Sequence, residues 1–192
     1  MIRRLYDWTL SLASSRHALW ALAIVSFAES SVFPIPPDVL MIPMILARPR
    51  QAFVIAGVST VASVLGALLG YAIGALLFET VGQPILDFYH KGEDFDAFAL
   101  RYNDWGAWAV LIAGVTPFPF KVITIASGVT GLSLTVFVVA SILARAARFF
   151  LVAALLRRYG DPIRDFIERY LGLVFVAFCI LLAGGLYLVK YL

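Results

Sequence analysis

Two stretches decide how this chain folds: Phe33-Pro34-Ile35-Pro36-Pro37-Asp38 and Thr116-Pro117-Phe118-Pro119-Phe120-Lys121, both set in apolar sequence. Proline has no backbone N–H to donate and its ring collides with the carbonyl four residues earlier, so neither stretch continues a helix. Before the first break, residues 17–33 are apolar and helical in pattern; after it, only Val39 to Ala47 remain before Arg48-Pro49-Arg50. A helix of about nine residues is ~14 Å long, less than half of a ~30 Å hydrocarbon core. The spacing therefore predicts that residues 17–47 enter a membrane and return to the side they came from, as a re-entrant hairpin.

The second break repeats the first. Residues 105–130 hold an apolar half-helix, a Pro-x-Pro, a charge two residues beyond the second proline and a short apolar return. A long apolar segment follows each hairpin, at 51–78 and 131–156, and a last one covers 171–190. Within the first, Gly66, Gly70 and Gly74 recur every four residues, which makes a smooth helix face for another backbone to pack on. The predicted fold is an all-α integral membrane protein, an inverted repeat of two re-entrant helical hairpins each followed by a long transmembrane helix. A C-terminal transmembrane helix and surface amphipathic helices complete it.

Composition agrees: 62% of the 192 residues are hydrophobic and 14% charged, against roughly 45–50% and about 25% in soluble domains. Cys179 is the single cysteine, and His17 and His90 stand far apart, so an intramolecular disulfide and a cysteine-based metal site are excluded, and neither metal chemistry nor a cofactor is expected. The net charge of +3 is ordinary for a chain whose basic residues orient it, and no nucleic-acid partner is read from it.

Residues 1–16 segregate Ile2, Leu5, Trp8 and Leu12 from Arg3, Arg4 and Asp7, the pattern of a helix lying on the membrane surface. Residues 79–104 form an acidic external loop with a short helical pattern at Phe95, Phe98, Ala99 and Tyr102. Residues 157–170 form a basic cytoplasmic segment, in which Asp161 and Pro162 look like the N-cap and N1 of a short helix. Basic residues near the N-terminus, at Arg48 and Arg50, and from Arg157 to Arg169 put these segments and the N-terminus on the cytoplasmic side.

Five charges remain inside apolar sequence: Glu29, Asp38, Lys121, Arg145 and Arg148. Each costs roughly 2.5–3.5 kcal/mol to insert, so each must face protein, water or an opposite charge. Arg145 and Arg148 share a helix face and suit a phosphate, with Lys121 as a third headgroup-binding cation. Glu29 and Asp38 are the candidate proton-coupling carboxylates. The plainer alternatives are an N-cap role for Asp38, a snorkelling Lys121, and arginines that only neutralise the two acids.

The combination Phe27-Ala28-Glu29, Pro34-Ile35-Pro36-Pro37-Asp38, Gly66/Gly70/Gly74 and Thr116-Pro117-Phe118-Pro119-Phe120-Lys121 resembles the DedA superfamily, also called the VTT or SNARE-associated Golgi protein family, and within it the YqaA-like branch. The resemblance implies a polytopic protein of the bacterial inner membrane that moves lipids with an anionic phosphate headgroup, such as undecaprenyl phosphate or a phospholipid, as a flippase or scramblase that is proton-coupled. Where the commoner family pattern carries arginines on either side of the second-hairpin proline, this chain has Gly114 and Phe120. The expected partners are membrane lipids and protons, with a homo-oligomer open. An enzyme is not expected, since no nucleophile, histidine or metal set accompanies the buried charges. The alternatives are an ion or small-solute secondary transporter and a non-catalytic membrane-organising protein.

Overall fold

The computed structural model describes residues 17–32, 36–89, 92–116 and 118–189; Asp94, Asp161 and the residues from 163 on are described by backbone alone. The predicted surface helix at 1–16, and Pro34 and Pro117 themselves, lie outside the described residues. Every regular element among those described is helical: α1 Ala18–Ser31, α2 Asp38–Ala47, α3 Ala52–Leu77, α4 Gln83–Phe88, α5 Gly92–Val115, α6 Phe120–Val129 and α7 Leu134–Val189. A 3-10 turn at Pro49–Gln51 leads into α3, and a π-helical turn at Phe78–Gly82 joins α3 to α4.

Both proline stretches interrupt helices where the sequence requires. α1 stops at Ser31 ahead of Pro34, and α5 stops at Val115 ahead of Pro117. Pro37 and Pro119 then stand immediately before the first residues of α2 and α6, where a missing N–H costs nothing because no carbonyl precedes to receive it. α6 ends in a Schellman turn: Gly131 takes φ +65°, Leu132 N–H donates to Ser127 O and Gly131 N–H to Gly128 O.

Two segments differ from the sequence reading. The described residues of the acidic stretch 79–104 are largely helical rather than loop: the π turn, α4 and the first half of α5, which runs on without interruption into the apolar Trp105–Val115 arm. Apolar contacts stabilise it as helix, with Phe78 and Phe95 stacked at 4.6 Å between ring centroids. Nor do Asp161 and Pro162 begin a helix, since α7 continues through them with Pro162 inside it. A proline forfeits its own hydrogen bond and crowds the carbonyl of residue 158, so the helix continues here at a local cost.

The helix α3 is the axis of the molecule. Its buried face carries Ser59, Thr60, Ala62, Ser63, Gly66, Gly70 and Gly74, all small, while Val61, Leu65, Leu69 and Leu76 are exposed on the opposite side. Small or polar inside and branched apolar outside inverts the soluble pattern and suits a helix surrounded by lipid. Among the described residues two helical runs, Pro49–Phe88 and Leu134–Gly160, are long and apolar enough to cross a membrane.

The glycines let other backbones touch α3. A Cβ at Gly66 would lie 2.1 Å from Phe27 O on α1, one at Gly70 2.3 Å from Thr124 Oγ1 on α6, and one at Gly74 2.1 Å from Ile125 O. One helix thus receives the arm before the first break and the arm after the second. The register runs parallel, because residues further along α1 and α6 meet residues further along α3. α7 runs the other way, pairing Phe137 with Tyr71 and Phe150 with Phe53.

Two apolar cores result. One joins Leu22, Met41, Ile45, Ile55 and Phe149 from α1, α2, α3 and α7; the other joins Ala67, Val110, Phe120 and Phe137 from α3, α5, α6 and α7. Between them lies a layer of buried polar groups that includes Ser30, Ser63, Thr124 and Arg145.

Candidate functional site

Each proline break leaves helix ends without backbone partners, and the buried charges meet those ends. α1 brings Glu29 and Ser30 to its last turn; α7 reaches them from across the bundle with Arg145. Arg145 Nη2 donates to Glu29 Oε2 at 2.6 Å and to Ser30 Oγ at 3.2 Å. Ser30 Oγ also donates to the same Glu29 oxygen at 3.1 Å and shares a 2.6 Å hydrogen bond with Ser63 Oγ on α3.

Arg145 has no solvent exposure, and its guanidinium carbon sits 4.0 Å from the centroid of the Phe120 ring. A cation over an aromatic face is attracted by the negative face of the ring. Only one of its three nitrogens is engaged with protein acceptors: Nε and Nη1 have no partner. Leaving charged donors unpaired in the interior is costly, so this arginine carries unspent capacity to bind a second acceptor.

One turn along α7, Arg148 Nη2 donates to Asp38 Oδ2 at 2.5 Å and its Nη1 to Thr116 O at 3.0 Å. Asp38 is the first residue of α2, not its cap: that position is held by Pro37, with no side-chain capping bond. Its carboxylate still faces the positive end of the helix dipole, and Arg148 meets the negative carbonyl end of α5. A single guanidinium therefore ties the helix that follows the first break to the helix that precedes the second. Substituting lysine at Arg148 removes this two-way fork; a detergent melting curve of Arg148→Lys is expected to shift down by several degrees, as loss of one charge-assisted hydrogen bond of roughly 1.5–3 kcal/mol requires.

Lys121 stands apart from both pairs. Its Nζ approaches Val32 O, at the C-terminal end of α1, at 3.5 Å. Four of the five embedded charges thus form two ion pairs, and the fifth crowns a third helix end across the same junction. Gly66, Gly70 and Gly74 lie along α3 where they support α1 and α6. Pro36, Pro37 and Pro119 flank the junction.

Sequence reasoning passed over Ser30, Ser63 and Thr124. Thr124 Oγ1 donates to Ser30 O at 3.1 Å and to Lys121 O at 2.9 Å, joining the two halves through backbone acceptors. The signal was present as hydroxyls four apart, Ser26/Ser30 on α1 and Ser59/Ser63 on α3, which place two polar groups on one face of an apolar helix.

No group of histidine, cysteine or carboxylate side chains among the described residues is arranged to hold a metal ion. The VTT domain model matches residues 35–158, which cover Asp38, Lys121, Arg145 and Arg148. Among curated proteins, the chain is similar to an uncharacterized protein of Haemophilus influenzae, 36% identical over 157 residues that make up 82% of this chain and 81% of that one. It is also similar to an uncharacterized protein of Histophilus somni, 33% identical over 168 residues, 85% and 87% of the two chains. No solved structure matches.

Proposed function

The chain belongs to the VTT domain family, and from that premise and its two embedded ion pairs we propose that it is a membrane transporter for lipids with an anionic phosphate headgroup, acting as a flippase or scramblase with proton coupling. In this reading the two helix–break–helix segments are re-entrant hairpins that enter a bacterial inner membrane from opposite faces, related by inverted topology. The N-terminus and the Arg157–Arg169 stretch face the cytoplasm.

The observation that carries the reading is the Glu29–Arg145 pair. A guanidinium binds carboxylate and phosphate through the same donors. When Glu29 is ionised it holds Arg145; when it takes a proton, the attraction is lost and the donors are released to a phosphate. Proton arrival and headgroup capture are then two halves of one exchange. Asp38 and Arg148 repeat the arrangement one helix turn away, and Lys121 adds a cation at the same junction.

Lipid flipping in proteoliposomes tests this directly. Glu29→Gln and Arg145→Ala are each expected to lower the rate at least tenfold, and full activity in both variants overturns the assignment. Coupling is tested apart from that: a rate indifferent to an imposed pH gradient removes the proton from the scheme. The complete enclosure of Arg145 favours one second reading, a small anion as cargo, for which uptake of inorganic phosphate into the same vesicles is the discriminating measurement.

A further inference from the structure

Six buried side-chain atoms among the described residues have no hydrogen-bond partner: Ser26 Oγ, Ser59 Oγ, Ser141 Oγ, Asn103 Oδ1, and Arg145 Nε and Nη1. They are not scattered. Ser26 and Ser59 lie one turn before Ser30 and Ser63, on the parallel helices α1 and α3 whose hydroxyls meet. Ser141 lies one turn before Arg145 on α7, at the level of Ser63 in the antiparallel register set by the Tyr71–Phe137 and Phe53–Phe150 ring pairs.

Above that level the polar groups continue along α6. Thr124 binds Ser30 O; Ser127 Oγ shares a 3.0 Å bond with Tyr102 OH; and Asn103 Nδ2 donates to Thr130 O at 2.9 Å. Gly70 faces Thr124 and Gly128 faces Tyr71 O, so this upper part follows the same face of α3. From the level of Ser59 to that of Gly74 is about 22 Å of helix, most of a ~30 Å hydrocarbon core. Its upper end opens at α5, where Arg101 and Asp104 are exposed on either side of Tyr102 and Asn103.

We propose that this column is a hydrated proton path that delivers protons to Glu29. It rests on the proton-coupled reading above and adds the route. Hydroxyls one helix turn apart are separated by about 6 Å along the axis, close to two hydrogen bonds of ~2.8 Å, so one water spans each step. Native interiors place water where buried polar groups would otherwise be unpaired, and each such water makes about three bonds. A proton entering from the acidic end passes between waters and hydroxyls and joins a carboxylate oxygen of Glu29, whose negative charge it cancels. Glu29 meets Arg145 from α7 and the hydroxyl of Ser30, which is joined to Ser63 on α3; the other charges packed around this junction are the Asp38–Arg148 pair from α2 and α7 and Lys121 from α6, which meets Val32 O. The positive guanidinium of Arg145 stands where the lower and upper parts of the column meet and opposes passage of a hydrated proton there, so transfer from the upper part to the lower one, at Ser26 and Ser59, goes through the Glu29 carboxylate.

The test uses the full chain in vesicles of phosphatidylethanolamine and phosphatidylglycerol loaded with a pH-sensitive dye, with proton uptake driven by a potassium diffusion potential. Glu29→Gln, the pair Ser26→Ala/Ser59→Ala and the pair Ser127→Ala/Tyr102→Phe are each expected to cut uptake at least fivefold, and Ser127→Thr to retain it. Normal uptake in both pairs with loss in Glu29→Gln overturns the path and leaves the coupling standing. Normal uptake in Glu29→Gln removes the coupling and the path with it. Hydroxyl-radical footprinting supplies a readout independent of transport: Phe120, which has no solvent exposure, is expected to be labelled by adjacent internal water, and an unlabelled Phe120 overturns the proposal.

Discussion

Replacing Arg145 by methionine is expected to cost the protein about 3–5 kcal/mol of stability, because it strands the Glu29 carboxylate in the interior without its cation. For a chain of this length that is a fall on the order of 10 °C in the detergent melting temperature. The companion variant separates fold from function. Glu29→Leu combined with Arg145→Met removes both charges and replaces them by apolar groups of similar volume, a change that is often neutral in stability. The double variant is expected to melt within a few degrees of the unaltered chain and to move no lipid. A double variant as unstable as Arg145→Met alone would mean that the surrounding hydroxyls, and not the charge pair, hold the junction together.

The second large effect comes from the smallest side chains. In an exposed helix interior, Gly→Ala stabilises by roughly 1 kcal/mol. At Gly66 and Gly128 the sign reverses, because the new Cβ would fall 2.1 Å from Phe27 O and 2.0 Å from Tyr71 O. Those are backbone atoms, which cannot rotate aside, so the helices themselves must separate by about 1 Å along the whole contact. Overpacking of this kind costs typically 1–3 kcal/mol and more when backbone must move. Gly57 is the internal control, since a Cβ there meets nothing within 4 Å. Melting curves of Gly66→Ala and Gly128→Ala are expected to fall by several degrees, and that of Gly57→Ala to hold or rise; equal behaviour at all three would contradict the close contacts.

The breaks and the long apolar helices were legible because proline chemistry and helix length are local properties. α1 ends at Ser31 and α5 at Val115, each just ahead of clustered prolines, whereas the single Pro43 and Pro162 are carried inside α2 and α7; it is the clustering that made the breaks readable. The acidic stretch was misread for the opposite reason: composition marked it as exposed, but Phe78 against Phe95 is a tertiary contact that spacing does not reveal. Which charge meets which was equally hidden. Periodicity puts Arg145 and Arg148 on one face, whereas the division between Glu29 and Asp38 depends on how far α1 and α2 stand from α7.

Phe120 makes the point in a single residue. Where the commoner family pattern carries an arginine, this chain has Phe120. The guanidinium of Arg145 instead lies across the Phe120 ring, so α7 brings a charge to the place that α6 leaves apolar. A sequence scanned for a residue type at a fixed offset cannot register that exchange between helices.

The two ion pairs also impose an order on the making of the protein. Glu29 precedes Arg145 by 116 residues and Asp38 precedes Arg148 by 110. At about 5–20 residues per second of synthesis, each acid leaves the ribosome roughly 6–20 s before its cation exists. During that interval the N-terminal helices hold two carboxylates in apolar sequence without their cations, an arrangement that is costly to bury. α7 then supplies both cations, so the second half of the chain completes the charge balance of the first.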